Sequence, residues 1–253
     1  MKLNSIVIDK DYLQSCKAEE IKQIIEQGYR LLVTAELGYE IFTTDHQPFS
    51  KKCFKDLLVF REHIDIVEHL GTLINTEIEK HTPCFPISSY FLPQTHQLNP
   101  NFNFIFDNEM RNHLKEFEIN FEKSPAIQFE KVALEIKNNF PGLKKSDINN
   151  PEEIRKIYEQ LRGNNKFPHS VMINEQWVIF RRLQVDCLAT IEYLQSLKDE
   201  QFNICEERKR HNQVDFRICV FALLTKGLAS KDKLIRRHFK FLCPDGILFP
   251  KEQ

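Results

Sequence analysis

Four acidic residues, Asp9, Glu40, Asp215 and Asp232, stand where they could share one chemistry, with Asp11 and Glu36 close by in sequence. Asp9 ends the apolar run Ile6-Val-Ile8, and Asp11 follows two residues on. Several carboxylates in one pocket repel each other unless a hard divalent cation neutralises them, and an all-oxygen donor set suits Mg²⁺ or Mn²⁺. Such an ion orients and activates a water and stabilises a phosphoryl transition state. The chemistry open to these residues is therefore metal-dependent hydrolysis of a phosphate ester.

The elements around the acids must bring them together. Residues 3–8 have the length and apolarity of a strand, so Asp9 falls at its carboxyl end, where ligands bind in an open α/β sheet. The competing role for Asp9 is to cap the helix that follows. Over 18–27, apolar residues at 21, 24 and 25 mark one helix face, and Gly28 supplies the stop. Residues 29–34 form a second short strand, and strand–helix–strand in so few residues makes the two strands parallel neighbours. A helix over 35–43 leaves that strand with Thr34 as N-cap, and it carries Glu36 and Glu40 one turn apart on the same face.

Helical periodicity continues over 51–63 and 66–80. The four prolines of 82–100 predict an irregular crossing, and the alternation over 101–106 predicts a half-buried strand. Helices are expected over 109–123, 124–139, 151–162 and 175–197, with Asp186 a packed polar residue on an apolar face. Asp215 opens a further helix that runs to Thr225. Lys226-Gly-Leu-Ala229 offers little strand, a helical turn covers 233–237, and 247–250 could add an edge strand. The expected fold class is α/β, three layers around a central parallel sheet, built from 1–80 and 170–253 with a large, mostly helical insertion over 81–169.

Composition bounds the function. Of 253 residues, 42% are hydrophobic, enough for a sizeable core, and Phe 21 against Gly 7 points to a helix-rich chain. Lys+Arg 35 against Asp+Glu 36 leaves no global basic field, although a nuclease needs only a local basic groove around an acidic centre. Seven cysteines, odd in number and never spaced C-x-x-C, argue against a zinc ribbon or a disulfide framework. No targeting pattern marks the opening residues and no apolar run approaches bilayer length, so a soluble, cytoplasmic protein with no membrane partner is expected.

Ile6-Val-Ile-Asp-Lys-Asp-Tyr-Leu13 resembles the opening motif of PIN-domain nucleases, an apolar strand, then Asp, then Leu four residues on. Val33-Thr-Ala-Glu-Leu-Gly-Tyr-Glu-Ile-Phe42 is similar to that family's second motif, Asn212-Gln-Val-Asp215 to its third, and Ala229-Ser-Lys-Asp232 to its Thr/Ser-x-Asp motif. The resemblance covers roughly the first 80 and last 45 residues. It implies Asp9, Glu40, Asp215 and Asp232 as catalytic ligands of Mg²⁺ or Mn²⁺, Ser230 as a supporting hydroxyl, and Asp11 and Glu36 nearby. It also implies single-stranded nucleic acid as substrate, RNA before DNA, and an endoribonuclease activity. A protein regulator or a homodimer is compatible with it, and the helical insertion would serve as lid or clamp.

Basic residues gather late in the chain. Arg208, Arg210, Lys231, Lys233, Arg236 and Arg237 flank the third and fourth acids as candidate phosphate contacts, with Phe239 and Phe241 as stacking faces. His211 and His238, next to basic residues, read as surface residues, with phosphate contact as the alternative. Two rival readings share the same residues. Asp9-Lys-Asp11 also resembles the nucleophile and acid pair of haloacid-dehalogenase-like phosphatases, with Thr34 as the hydroxyl after the second strand. A catalytically eroded PIN-like binding scaffold is the other.

Overall fold

The structure, a computed structural model, describes residues 5–43, 47–84, 132–162, 167–198 and 206–251. Among them five strands, β1 (Ser5–Ile8), β2 (Arg30–Thr34), β3 (Ile64–Val67), β4 (Gly227–Ala229) and β5 (Ile247–Phe249), form one sheet in the order β3-β2-β1-β4-β5. Every pairing is parallel. The protein is α/β, and its sheet is compatible with helices layered on both faces.

Strand alternation explains the burial. Ile6, Ile8, Leu31, Val33, Ile64 and Ala229 belong to one apolar cluster with Leu13, Ile21, Ile24, Leu37 and Leu57. These last residues come from α1 (Lys10–Ser15), α2 (Ala18–Glu26), α3 (Ala35–Thr43) and α4 (Gln47–Val59). The intervening Val7, Leu32 and Leu228 are equally buried. Both faces of the central strands are therefore covered, as a parallel sheet requires.

Local chemistry sets the ends of these elements. Gly28 adopts φ +85 after α2, a left-handed conformation that glycine reaches without a Cβ penalty. The Thr34 hydroxyl accepts from the Leu37 N–H at 3.1 Å and starts α3, as the sequence predicts. Gly227 is required by close approach: a Cβ there would stand 2.6 Å from both Ile6 Cδ1 and the Ser5 carbonyl oxygen.

Three elements differ from expectation. Ile64–Val67, whose last two residues are expected to open a helix over 66–80, is β3, and helix resumes only at α5 (Leu70–Lys80). Arg30 clamps β3 to β2 through Asp65, with Nε and Nη2 each donating to a carboxylate oxygen at 2.7 Å. Gly227–Ala229, expected to offer little strand, pairs with both β1 and β5. The helix carrying Asp215 begins at Glu206 and not at Asp215, so α9 (Glu206–Thr225) holds that residue near its middle. The segment before it is polar yet helical, which an apolar pattern cannot reveal.

The described residues divide into two compact units. The sheet unit takes residues from both chain ends, up to 69 and from 221. It includes α10 (Lys233–Leu242). The second unit is helical: α5, a helix over 132–139 (α6), a 3-10 turn (Lys145–Asn149), α7 (Pro151–Leu161), α8 (Val178–Lys198) and α9 up to residue 220. α5, α7 and the 3-10 turn pack on α8. The α8 amino terminus is held by Glu77, whose carboxylate accepts from the N–H groups of Val178, Ile179 and Cys84 at 2.8, 2.9 and 2.8 Å. The strand expected over 101–106 and the helix over 109–123 lie outside the described residues, as does nearly all of the crossing over 82–100.

Candidate active site

The sheet order itself selects a place for chemistry. The chain moves outward from β1 to β2 to β3, then returns to the other side of β1 as β4 and β5. The direction of winding reverses between β1 and β4, and in open α/β sheets ligands bind outside the strand carboxyl ends at such a switch point. Asp9 follows β1 and Ser230 follows β4, so both stand there.

Asp9 occupies the N-cap position of α1, yet its side chain makes no capping hydrogen bond. The Ser230 hydroxyl instead donates to Asp9 Oδ2 at 2.7 Å. Ser230 Oγ also accepts from the Asp232 N–H at 3.0 Å, which ties the two acid-bearing loops together. Asp9 is only 3% exposed. Burial pushes its carboxyl up to about 6; Ser230 pulls it down, and Asp11 and Asp232 stand near enough to push it up further.

Glu40, on α3, belongs to the same cluster. Burial pushes its carboxyl up to about 7, Lys10 opposes that, and Asp9 and Asp11 add to it. Lys10 Nζ lies 3.7 Å from Glu40 Oε1. Glu36, one turn earlier on α3, is buried and faces His69 Nε2 at 3.5 Å. Lys10 and His69 were not singled out in the sequence. Lys10 had a signal, its place between the two acids, whereas His69 had none.

Asp232 is the N-cap of α10, its Oδ1 accepting from the Leu234 and Ile235 N–H groups at 2.7 and 2.9 Å. It retains proximity to Asp9 while spending one oxygen on the helix. Asp215 falls in the helical unit, half-buried on α9. The structure thus gathers Asp9, Asp11, Glu40, Asp232 and Ser230 in the sheet unit, while Asp215 belongs to the helical unit. Asp186 is a packed polar residue as expected, accepting from Arg182 Nε at 2.7 Å.

The basic candidates separate into classes. Arg236 donates to the carbonyl oxygens of Ser230, Phe249 and Pro250 at 2.8, 3.0 and 3.1 Å, so it bolts the carboxyl ends of β4 and β5 together. Lys231 lies 3.7 Å from Glu20, donates to the Ser15 carbonyl oxygen and stands over the Tyr12 ring. Lys233, Arg237 and Lys240 are exposed and recur at the spacing of one helix face. Phe239 is fully buried and His238 is 1% exposed, so neither is the surface residue the sequence led us to expect. Both lie on the inward stripe of α10. The side chains of Arg208, Arg210 and His211 lie outside the described set.

The donor chemistry of Asp9, Asp11, Glu40 and Asp232 fits a hard divalent cation, being all carboxylate oxygen. Two of these carboxyls, Asp9 and Glu40, are held above their ordinary range by burial and by neighbouring carboxylates, a condition that a bound cation reverses. Among the described residues, no three His, Cys, Asp or Glu side chains are already grouped as a metal site. Ser230, Lys10 and the α10 amino terminus engage the carboxylates instead. Comparison with protein-family models, with curated proteins and with solved structures found no match to this chain. Among the described residues no helix is long and apolar enough to cross a membrane.

Proposed function

We propose that this protein is a metal-dependent nuclease of PIN-like type that hydrolyses phosphodiester bonds of single-stranded nucleic acid, RNA before DNA. The observation that carries the reading is Asp9: buried at the switch point, turned away from its capping role, and crowded by other carboxylates. Asp9, Glu40 and Asp232 would hold Mg²⁺ or Mn²⁺, with Asp11 beside them; Asp215 joins the set through the motif resemblance alone. Bound there, the ion supplies Lewis-acid polarisation of the phosphoryl oxygen and a more acidic water. The chain's own residues bind and orient. Ser230 fixes the Asp9 carboxylate, Lys10 balances Glu40, and the exposed face of Lys233 and Arg237 offers charge to the phosphate backbone. The helical insertion as clamp, a regulating protein or a second copy, and a cytoplasmic location belong to the same proposal.

The test is cleavage of labelled single-stranded RNA by the purified protein with Mn²⁺, beside Asp9→Asn and a thermal-shift titration of Mn²⁺. Cleavage that falls by orders of magnitude in the variant is the expected result, together with a Mn²⁺-dependent rise in melting temperature that shrinks in the variant. Equal cleavage by both proteins sinks the site. Hydrolysis of a phosphate monoester that vanishes in Asp11→Asn would select the phosphatase. No cleavage and no Mn²⁺ shift would select the binding scaffold.

A further inference from the structure

At the carboxyl edge of the sheet, two strands from β1, a histidine is seated against a buried acid. His69 lies two residues past the end of β3, and Glu36 lies in the first turn of α3, which leaves β2. His69 Nε2 stands 3.5 Å from Glu36 Oε1; the Glu36 side chain is 2% exposed and the His69 side chain 34%. The carboxylate therefore sits in the protein and the ring sits at the rim. Because β1, β2 and β3 are parallel neighbours, this pair opens on the same edge as Asp9.

We infer that His69, held by Glu36, is the docking residue for the phosphate of a nucleotide flanking the scissile bond. The inference rests on the nuclease reading of the switch-point site. Distance decides the role. Two inter-strand spacings separate the carboxyl end of β3 from that of β1, about 10 Å. That is too far for a proton donor to the reacting oxygen, which needs hydrogen-bond reach of about 3 Å. It is the range of a neighbouring phosphate along an extended single strand. Glu36 and Glu40 are one turn apart on α3, and Glu40 stands near Asp9, so one short helix carries acids toward both His69 and Asp9. At the rim beside these acids, the His69 ring offers a passing polyanion a phosphate contact.

The experiment measures binding of a fluorescein-labelled oligouridylate by anisotropy over a salt series, without divalent ions, so turnover does not enter. Wild type is compared with His69→Ala and His69→Lys, each checked for an unchanged melting temperature. His69→Ala should weaken binding about three- to tenfold and reduce the slope of log K against log salt by about 0.7, with His69→Lys restoring both. With Mn²⁺ present, His69→Ala should raise KM and leave kcat within about twofold. Cleavage and binding by His69→Ala at wild-type levels, with an unchanged salt slope, overturn the assignment while the nuclease reading stands. A lysine variant that fails to regain the slope overturns it too, because His69 would then act by something other than charge. If wild type neither binds nor cleaves, the nuclease reading fails and this inference with it.

Discussion

Ser230 Oγ donates to Asp9 Oδ2 at 2.7 Å across 221 residues of sequence. The bond joins the carboxyl ends of two adjacent parallel strands, β1 and β4. Among the influences on Asp9, it is the largest that favours the charged carboxylate. Ser230→Ala removes it, so the Asp9 carboxyl should climb above about 6 and Mn²⁺ should bind more weakly at neutral pH. A Mn²⁺ titration at pH 6 and at pH 8 checks this: the loss should be larger at pH 6, and a loss equal at both would show that the hydroxyl acts otherwise.

Asp9→Asn separates folding from function. An ionised Asp9 costs folding energy, since burial lifts its carboxyl from 3.8 to about 6. Asparagine keeps the shape and an oxygen for Ser230. Denaturant unfolding at pH 7.5 should show the variant equal to wild type or more stable by about 1–3 kcal/mol, while cleavage is lost. A variant less stable than wild type would mean that the charge is structurally useful as it stands.

Glu40 gives a signed pH dependence. Its folded carboxyl at about 7 lies above the ordinary 4.5, so between those values the folded state holds the proton more tightly than the unfolded state. Its contribution is fully present below pH 4.5 and is lost as pH rises through 7. Relative to Glu40→Gln, wild type should therefore lose about 2–3 kcal/mol of stability between pH 4.5 and 8. Parallel stability–pH curves for the two proteins would contradict the placement of Glu40.

Glu77 tests the helical unit. Burial pushes its carboxyl up to about 7, while three backbone N–H groups pull it down. Glu77→Ala orphans those donors at the α8 amino terminus and at Cys84, so it should cost about 3 kcal/mol or more by chemical unfolding, and Glu77→Gln less. A cost under about 1 kcal/mol would show that water replaces the carboxylate without penalty.

Arg236 and Lys233 look alike in sequence and should behave oppositely. Arg236→Gln frees the carbonyls of Ser230, Phe249 and Pro250, so stability should fall by about 1–3 kcal/mol. Lys233→Ala should leave stability within about 0.5 kcal/mol and shorten the salt slope of RNA binding. A stable Arg236→Gln protein with a shortened slope would return Arg236 to the docking surface.

The first two strands and the helices after them could be read from residues 3–43, because each is set by neighbours in sequence: the apolar face at 21 and 24, Gly28 as a stop, Thr34 as a cap. Asp9, Ser230 and Asp232 stood out as candidates for the same reason, being short motifs at element ends. β3 stayed hidden because helical periodicity runs up to it and resumes within it, and β4 because a glycine opens its three residues; both owe their form to hydrogen bonds from neighbouring strands. Nothing local distinguishes an arginine that binds phosphate from Arg236, which closes the ends of two strands, or a surface histidine from His69 beside Glu36. Those roles depend on which groups the fold brings within about 4 Å. Partners of a side chain distant in sequence become neighbours only when the sheet order places their strands side by side.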